Sequence, residues 1–262
     1  MIIFIVLSAA VADISPNFID AKTILNQPPQ QFAKSMENQH FRSKKIAKLN
    51  KHQEDISKPD YFPNTELKSK LLSKEMQGMS KELLEDHFQL YDGYITNANK
   101  LLATLRNFST EKEYRTDRRR RLAFEVNGIL MHELYFENLT PEETQPSENV
   151  KDFFLNRFGT IDNLFEDLRE VGSTRGVGWV AVMHDTTTNN TYINWVEEHQ
   201  LGMLVNMEPL LVLDCWEHAF IKDYGASGRP SFFEASLKRI DWNVVEKRIN
   251  AVKNGMSVTR SS

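Results

Sequence analysis

Between Ser80 and Arg106, residues Leu84, Phe88, Tyr91, Ile95, Ala98, Leu102 and Leu105 recur at alternating spacings of four and three. That period returns each side chain to one side of an α-helix, so the stretch predicts a long amphipathic helix with a continuous apolar stripe. His87, Tyr94 and Leu101, spaced by seven, lie beside the stripe and widen the buried face. A second helical pattern, from about Arg118 to Glu137, turns Leu122, Val126, Ile129 and Leu130 inward, and the polar "STEKEYRTD" separates the two. Two long helices joined by about ten polar residues make a helical hairpin.

After Pro141 and Pro146 the pattern changes. Two short helical segments, at about 148–158 and 161–171, lead to Gly172 and the glycine-flanked "RGVGW". The runs "WVAVMH" and "TYINWVEE" flank "DTTTNNT", a stretch of turn formers, which predicts a β-hairpin. "PLLVLD" is a third strand, and residues 230–239 and 242–252 close the chain as helices. The expected fold is α+β. A long helical hairpin over 79–140 precedes a small α/β domain over 147–254, built on a three-stranded antiparallel sheet.

The start of the chain is different. Residues 13 to about 75 hold five of the nine prolines and many Lys, Gln and Asn, with no sustained period. Such a composition buries little apolar surface, so residues 13–78 read as an extended or disordered lead-in. Residues 1–12, "MIIFIVLSAAVA", form an apolar run too short to span a bilayer, ending in a signal-peptidase-like Ala-Val-Ala. A secreted or periplasmic location follows if that segment is a signal, and a cytoplasmic one otherwise. A net charge of −4 gives no electrostatic reason to expect nucleic acid or an anionic membrane as partner. One cysteine, Cys215, excludes an intramolecular disulfide framework, so the fold rests on its core or on bound metal.

The chemistry is concentrated where "PLLVLD" runs into "DCWEHAF". A buried strand that ends in a carboxylate, with an imidazole four residues on, delivers Asp214 and His218 together. Each hairpin helix adds a histidine, His87 and His132, which taken singly reads as a hydrogen-bonded core residue. Together the four offer three imidazoles and one carboxylate, a set suited to a redox-active first-row metal with a position left open. The run "RRRR" at 118–121 reads as a solvated face at a helix start, with nucleic-acid binding or an anion-steering patch as the alternatives.

These residues carry a family resemblance. "DCWEHAF" resembles the D-x-W-E-H-A-[FY] signature of the iron/manganese superoxide dismutases. "HFQLYDGYITNANK" and "MHELYF" resemble the family's two ligand-bearing helices, "GVGWVAV" the start of its sheet, and "RPSFFEASLKRIDWNVVEKRI" its closing helices. The resemblance covers about residues 80–250, in family order. It implies four metal ligands, His87, His132, Asp214 and His218, holding one Fe or Mn ion per chain. It implies that Tyr94 guards the substrate channel, and that Trp179, Trp216 and Tyr135 wall the site. Glu217 matches the glutamate that bonds the partner subunit's ligand histidine, which implies a homodimer. Superoxide is the implied substrate, with no nucleic acid and no membrane span.

Gly128, one turn before His132, matches a position that some members leave open for a side chain from the second domain. His199, fifteen residues before Asp214, stands where that side chain originates, and the glycine and the histidine are complementary in volume. The chain also departs from the family pattern. His87 and Tyr94 are seven residues apart rather than eight. Tyr91 replaces the family's second histidine on the first helix, and Ile221 its tyrosine partner across the dimer. Phe136 and Ala181 each replace a tryptophan. The implied activity is superoxide dismutation. An inactive structural or assembly protein on the same fold is the rival, with the survival of all four ligand types against it. A zinc hydrolase would have only Glu217 of the heptapeptide as general base.

Overall fold

The computed structural model describes residues 40–48, 51, 55, 58–108 and 110–258. Contacts divide the chain into Met1–Ser57 and Lys58–Ser262. In the first unit, residues 40–48 are helical and exposed. The signal-like segment 1–12 lies outside the described residues. Among these, no helix is long and apolar enough to cross a membrane.

The second unit begins with an extended strap that leads into α1 (Thr65–Leu72). The hairpin follows as α2 (Lys81–Arg106) and α3 (Lys112–Glu137). Then come α4 (Glu148–Phe158), α5 (Ile161–Gly172) and the strands β1 (Gly178–Asp185), β2 (Asn190–Glu197) and β3 (Glu208–Asp214). A single 3₁₀ turn (Glu217–Ala219) and the helices α6 (Ile221–Tyr224), α7 (Arg229–Leu237) and α8 (Trp242–Lys253) complete it. The sheet is antiparallel with order β2-β1-β3.

Helix α2 starts where Ser80 accepts from the Leu83 amide at 3.0 Å, satisfying one of the donors a helix N-terminus leaves free. It runs unbroken to Arg106 and buries the expected stripe, including Leu84, Phe88, Tyr91, Ile95 and Ala98. Helix α3 begins at Lys112, not near Arg118, so the connection is shorter than the ten residues expected. Its first turns face solvent and need no apolar period, which is why "KEYRTD" shows none.

The sheet separates two cores. Strands β1 and β3 are buried on both faces, so they read as nearly continuous apolar runs. Alternation sends Trp179, Ala181, Met183 and Val212 toward the hairpin, while Val180, Val182, Leu211 and Leu213 pack against α4, α5, α7 and α8. Asp214 follows Val212 by two, so it lies on the hairpin face. Cys215 belongs to the opposite core, where burial pushes its thiol up to about 12.

The lead-in expected over 13–78 is corrected at its C-terminal end. Residues 58–78 belong to the compact unit, and Leu67 and Leu71 of α1 enter the hairpin core. The strap is fastened to α2: Asn99 accepts from the amides of Asp60 (2.8 Å) and Tyr61 (3.1 Å), and its own amide donates to the Tyr61 carbonyl (2.9 Å). Pro59 and Pro63 mark an extended strap here rather than disorder.

Asn138, just past α3, substitutes for a missing strand beside the sheet-edge strand β3. Its carbonyl accepts from the Val212 amide (3.1 Å), and its amide donates to the Val212 carbonyl (3.1 Å) and the Tyr135 carbonyl (3.0 Å). Asn138→Ala strands these buried backbone groups, at about 1–3 kcal/mol for each group left unpaired. We expect a lower urea midpoint with an unchanged m-value; an unshifted midpoint would show that water replaces the amide without loss.

Candidate metal centre

Four elements converge on one point. Helix α2 presents His87, α3 presents His132, β3 ends in Asp214, and the 3₁₀ turn returns His218 to the same place. The return is local: Asp214 Oδ1 accepts from the Trp216 amide at 2.7 Å, an Asx turn that folds the chain back after the strand. Asp214 Oδ2 then lies 3.2 Å from His87 Nε2, 3.2 Å from His218 Nε2 and 3.9 Å from His132 Nε2. The Nε2 atoms of His132 and His218 are 3.4 Å apart. One ligand atom from each residue lies within 4.8 Å of every other. Donors held about 2.0–2.2 Å from a common centre are spaced in this way.

Protonation is equally organised. His132 Nδ1 donates to the Gly128 carbonyl at 2.5 Å, so the neutral ring turns the lone pair of Nε2 toward the cluster. Burial lowers the pKa of His87 and, more strongly, of His132, leaving both neutral at pH 7. Burial alone would raise the Asp214 carboxyl; the adjacent His218 and His87 imidazoles outweigh it and hold its pKa below the usual carboxylate value. His87 Nε2 is buried, and although Asp214 Oδ2 lies 3.2 Å away the pair lacks hydrogen-bonding geometry, so the nitrogen has no hydrogen-bond partner. An orphaned imidazole nitrogen beside a carboxylate and another nitrogen lone pair is costly unless a cation sits among them. The donor set fits a bound first-row metal ion.

Aromatic rings enclose the cluster. Trp179 stands edge-on to His132 with centroids 4.9 Å apart, and Tyr135 and Phe136 lie 5.5 and 5.0 Å from His87. Trp216 stacks on His218 at 5.5 Å and on His199 at 4.6 Å. Of the four candidate ligands, only His218 keeps a partly exposed side chain, at 21%. The site therefore opens past His218 and Trp216.

His199 is fully buried and bonded at both ring nitrogens. Trp179 Nε1 can only donate, and it points at His199 Nδ1 at 3.1 Å. A neutral His199 thus carries its proton on Nε2, which donates to the Tyr94 hydroxyl at 2.8 Å. Burial pushes His199 down to about 4, so neutrality holds at pH 7. Burial and the Asp214 charge raise Tyr94, keeping its hydroxyl protonated, and its hydrogen is free for a group on the cluster side. Helix α2 passes from His87 to Tyr94 without interruption, because seven residues are nearly two full turns.

One expectation is corrected. The space beside Gly128 is filled by Tyr94, not by His199: a Cβ at 128 would meet Tyr94 Cδ1 at 2.7 Å. The His199 ring stands behind Tyr94, with centroids 4.8 Å apart. Glu217 is exposed and takes no part in the cluster of its own chain. Tyr91 turns inward, donating to Glu133 Oε1 at 2.7 Å and accepting from the Asn64 amide at 3.2 Å. Sequence reasoning missed Phe124, whose ring lies 4.6 Å from His199 and 5.9 Å from Tyr94. Its place two turns before His132 was the available signal.

Comparison with known proteins agrees with this geometry. Family models described as the alpha-hairpin domain and the C-terminal domain of iron/manganese superoxide dismutases match residues 77–140 and 146–248. Superoxide dismutase (Fe) of Aquifex pyrophilus is 29% identical over 197 residues, covering 70% of this chain and 90% of the relative. The Methanothermobacter thermautotrophicus protein of the same name is 29% identical over 182 residues, covering 66% and 88%. That of Mycobacterium tuberculosis is 28% identical over 184 residues, covering 69% and 87%.

Proposed function

This chain belongs to the iron/manganese superoxide dismutases, and we propose that it disproportionates superoxide through one Fe or Mn ion held by His87, His132, Asp214 and His218. The observation that carries the reading is the meeting of three Nε2 atoms and one carboxylate oxygen, with His87 Nε2 otherwise orphaned. Two superoxide anions and two protons give one dioxygen and one hydrogen peroxide. Held by His87, His132, Asp214 and His218, the ion would supply one-electron redox chemistry between a trivalent and a divalent state.

The protein's part is to hold the ion and to manage protons. The Asp214 carboxylate favours the higher charge state, and neutral imidazoles keep the lower one within reach. Tyr94, with its oxygen occupied by the His199 N–H, is left as a hydrogen-bond donor to an anion entering the site. Trp179, Tyr135, Phe136 and Trp216 keep bulk water away and hold the rings in place. Rapid mixing of metal-loaded protein with superoxide tests this: we expect decay far above the spontaneous rate, with one peroxide formed per two superoxides. Decay at the spontaneous rate by a fully loaded protein would overturn it.

The dimer is part of the proposal. Glu217 is exposed beside His218, suitably placed to accept from a partner subunit's histidine. Tyr91 supports a changed interface, since its hydroxyl is already engaged within its own chain. Loss of a buried charge-assisted bond worth about 2 kcal/mol at each half of a two-fold interface sums to about 4 kcal/mol, roughly a thousandfold in association. Glu217→Ala should therefore sediment toward monomer at concentrations where the parent stays dimeric; identical sedimentation would remove Glu217 from the interface.

A further inference from the structure

One cation of the "RRRR" run is unlike the others. Arg121 lies on the same stripe of α3 as Gly128 and His132, seven and eleven residues before them, about 16 Å along the axis from the ligand. Its guanidinium covers the Phe124 ring, with the central carbon 3.7 Å from the centroid. Phe124 in turn packs against His199 and Tyr94, and lies 6.4 Å from Trp216. Arg121 Nε donates to Glu125 Oε1 at 2.8 Å. Among the described residues, the two terminal nitrogens have no hydrogen-bond partner, and the side chain is 55% exposed. Glu125 is buried, and its Oε2 has no partner.

We propose that Arg121 is an anion-receiving cation at the entrance to the metal site, and that Glu125 fixes it there while tempering its charge. This rests on the function proposed above. Stacking on Phe124 and the Nε bond pre-orient the guanidinium fork, which presents two free N–H edges for a small oxyanion. The whole chain is net negative at −4, so a local positive field favours the approach of a diffusing superoxide. Loss of Arg121 does more than delete that field. It leaves the Glu125 carboxylate uncompensated beside the route, and a carboxylate repels the substrate.

Arg121→Gln, Arg121→Lys, Glu125→Gln and the double Gln variant, each assayed for metal content, azide binding and rate against ionic strength, test the proposal. A unit charge ~16 Å away changes a monovalent anion's local concentration roughly two- to fivefold at low salt. Arg121→Gln should therefore bind azide at the ferric or manganic centre two- to fivefold more weakly. It should lose second-order rate by a similar factor, with turnover at saturation and metal content held. The loss should fade as salt shortens the Debye length to about 8 Å or less. Arg121→Lys should keep most of the rate, and Glu125→Gln in the Arg121→Gln background should recover part of the loss. Unchanged azide affinity and unchanged salt dependence in Arg121→Gln would overturn the proposal. If the parent protein binds metal but does not dismute superoxide, the function above fails, and azide affinity alone still decides the role of Arg121.

Discussion

His132→Ala is expected to abolish stoichiometric iron or manganese binding and, with it, dismutation. His132 is fully buried, its Nδ1 is tied to the Gly128 carbonyl, and its Nε2 stands 3.4 Å from that of His218. Four protein ligands hold a structural Zn²⁺ with about 10–16 kcal/mol, which sets the scale for a four-ligand site. One ligand of four is then worth roughly 3 kcal/mol, a hundredfold or more in affinity. Alanine cannot be replaced by a neighbour here, because the nearest imidazole outside the cluster, His199, has both nitrogens bonded. His218→Ala should behave alike, with easier entry of water since its side chain is already partly exposed. Metal analysis after dialysis, beside circular dichroism to confirm the fold, gives the result. A folded His132→Ala protein that keeps one ion per chain and full rate would remove His132 from the ligand set.

His199→Ala separates holding the metal from using it. The four candidate ligands stay in place, so metal content should remain near that of the parent. Two groups lose a partner: Trp179 Nε1 no longer has its acceptor, and the Tyr94 hydroxyl no longer has its donor. The Tyr94 oxygen then has an open lone pair in a buried site, and its hydrogen is no longer directed at the cluster. Loss of such outer hydrogen bonds costs about 10–100-fold in metal-site function. We expect at least about a tenfold fall in dismutation rate together with a shifted reduction potential. His199→Gln, which can still accept from Trp179 and donate to Tyr94, should recover part of the rate. Parent-level turnover in His199→Ala would leave the Trp179–His199–Tyr94 chain a packing feature only.

What could be read from the sequence was whatever regular structure governs. His87 and Tyr94 were placed by helical period, and Asp214 by the end of the apolar run that forms β3, whose register sets Trp179 opposite it. His218 followed because a turn of four residues brings it back. The gaps have physical causes too. Strap 58–64 and α1 show no long period, and their order comes from distant partners such as Asn99 and Tyr91. The early start of α3 was hidden because a solvated helix needs no apolar pattern. Spacing places the Tyr94 and His199 rings both near Gly128, and only packing decides which of them fills the space. Arg121 reads as part of a solvated charge run in the sequence, and only packing puts Phe124 between it and His199.

The most direct test of the whole account is a loading series. Protein stripped of metal is reloaded to graded occupancy with Fe, with Mn or with Zn, and superoxide decay is measured against metal per chain. The rate should rise in proportion to Fe or Mn, reach its limit at one ion per chain, and stay at background with Zn. A fully Fe- or Mn-loaded chain that leaves superoxide decay at background, or a Zn-loaded chain that matches the best rate, would contradict it.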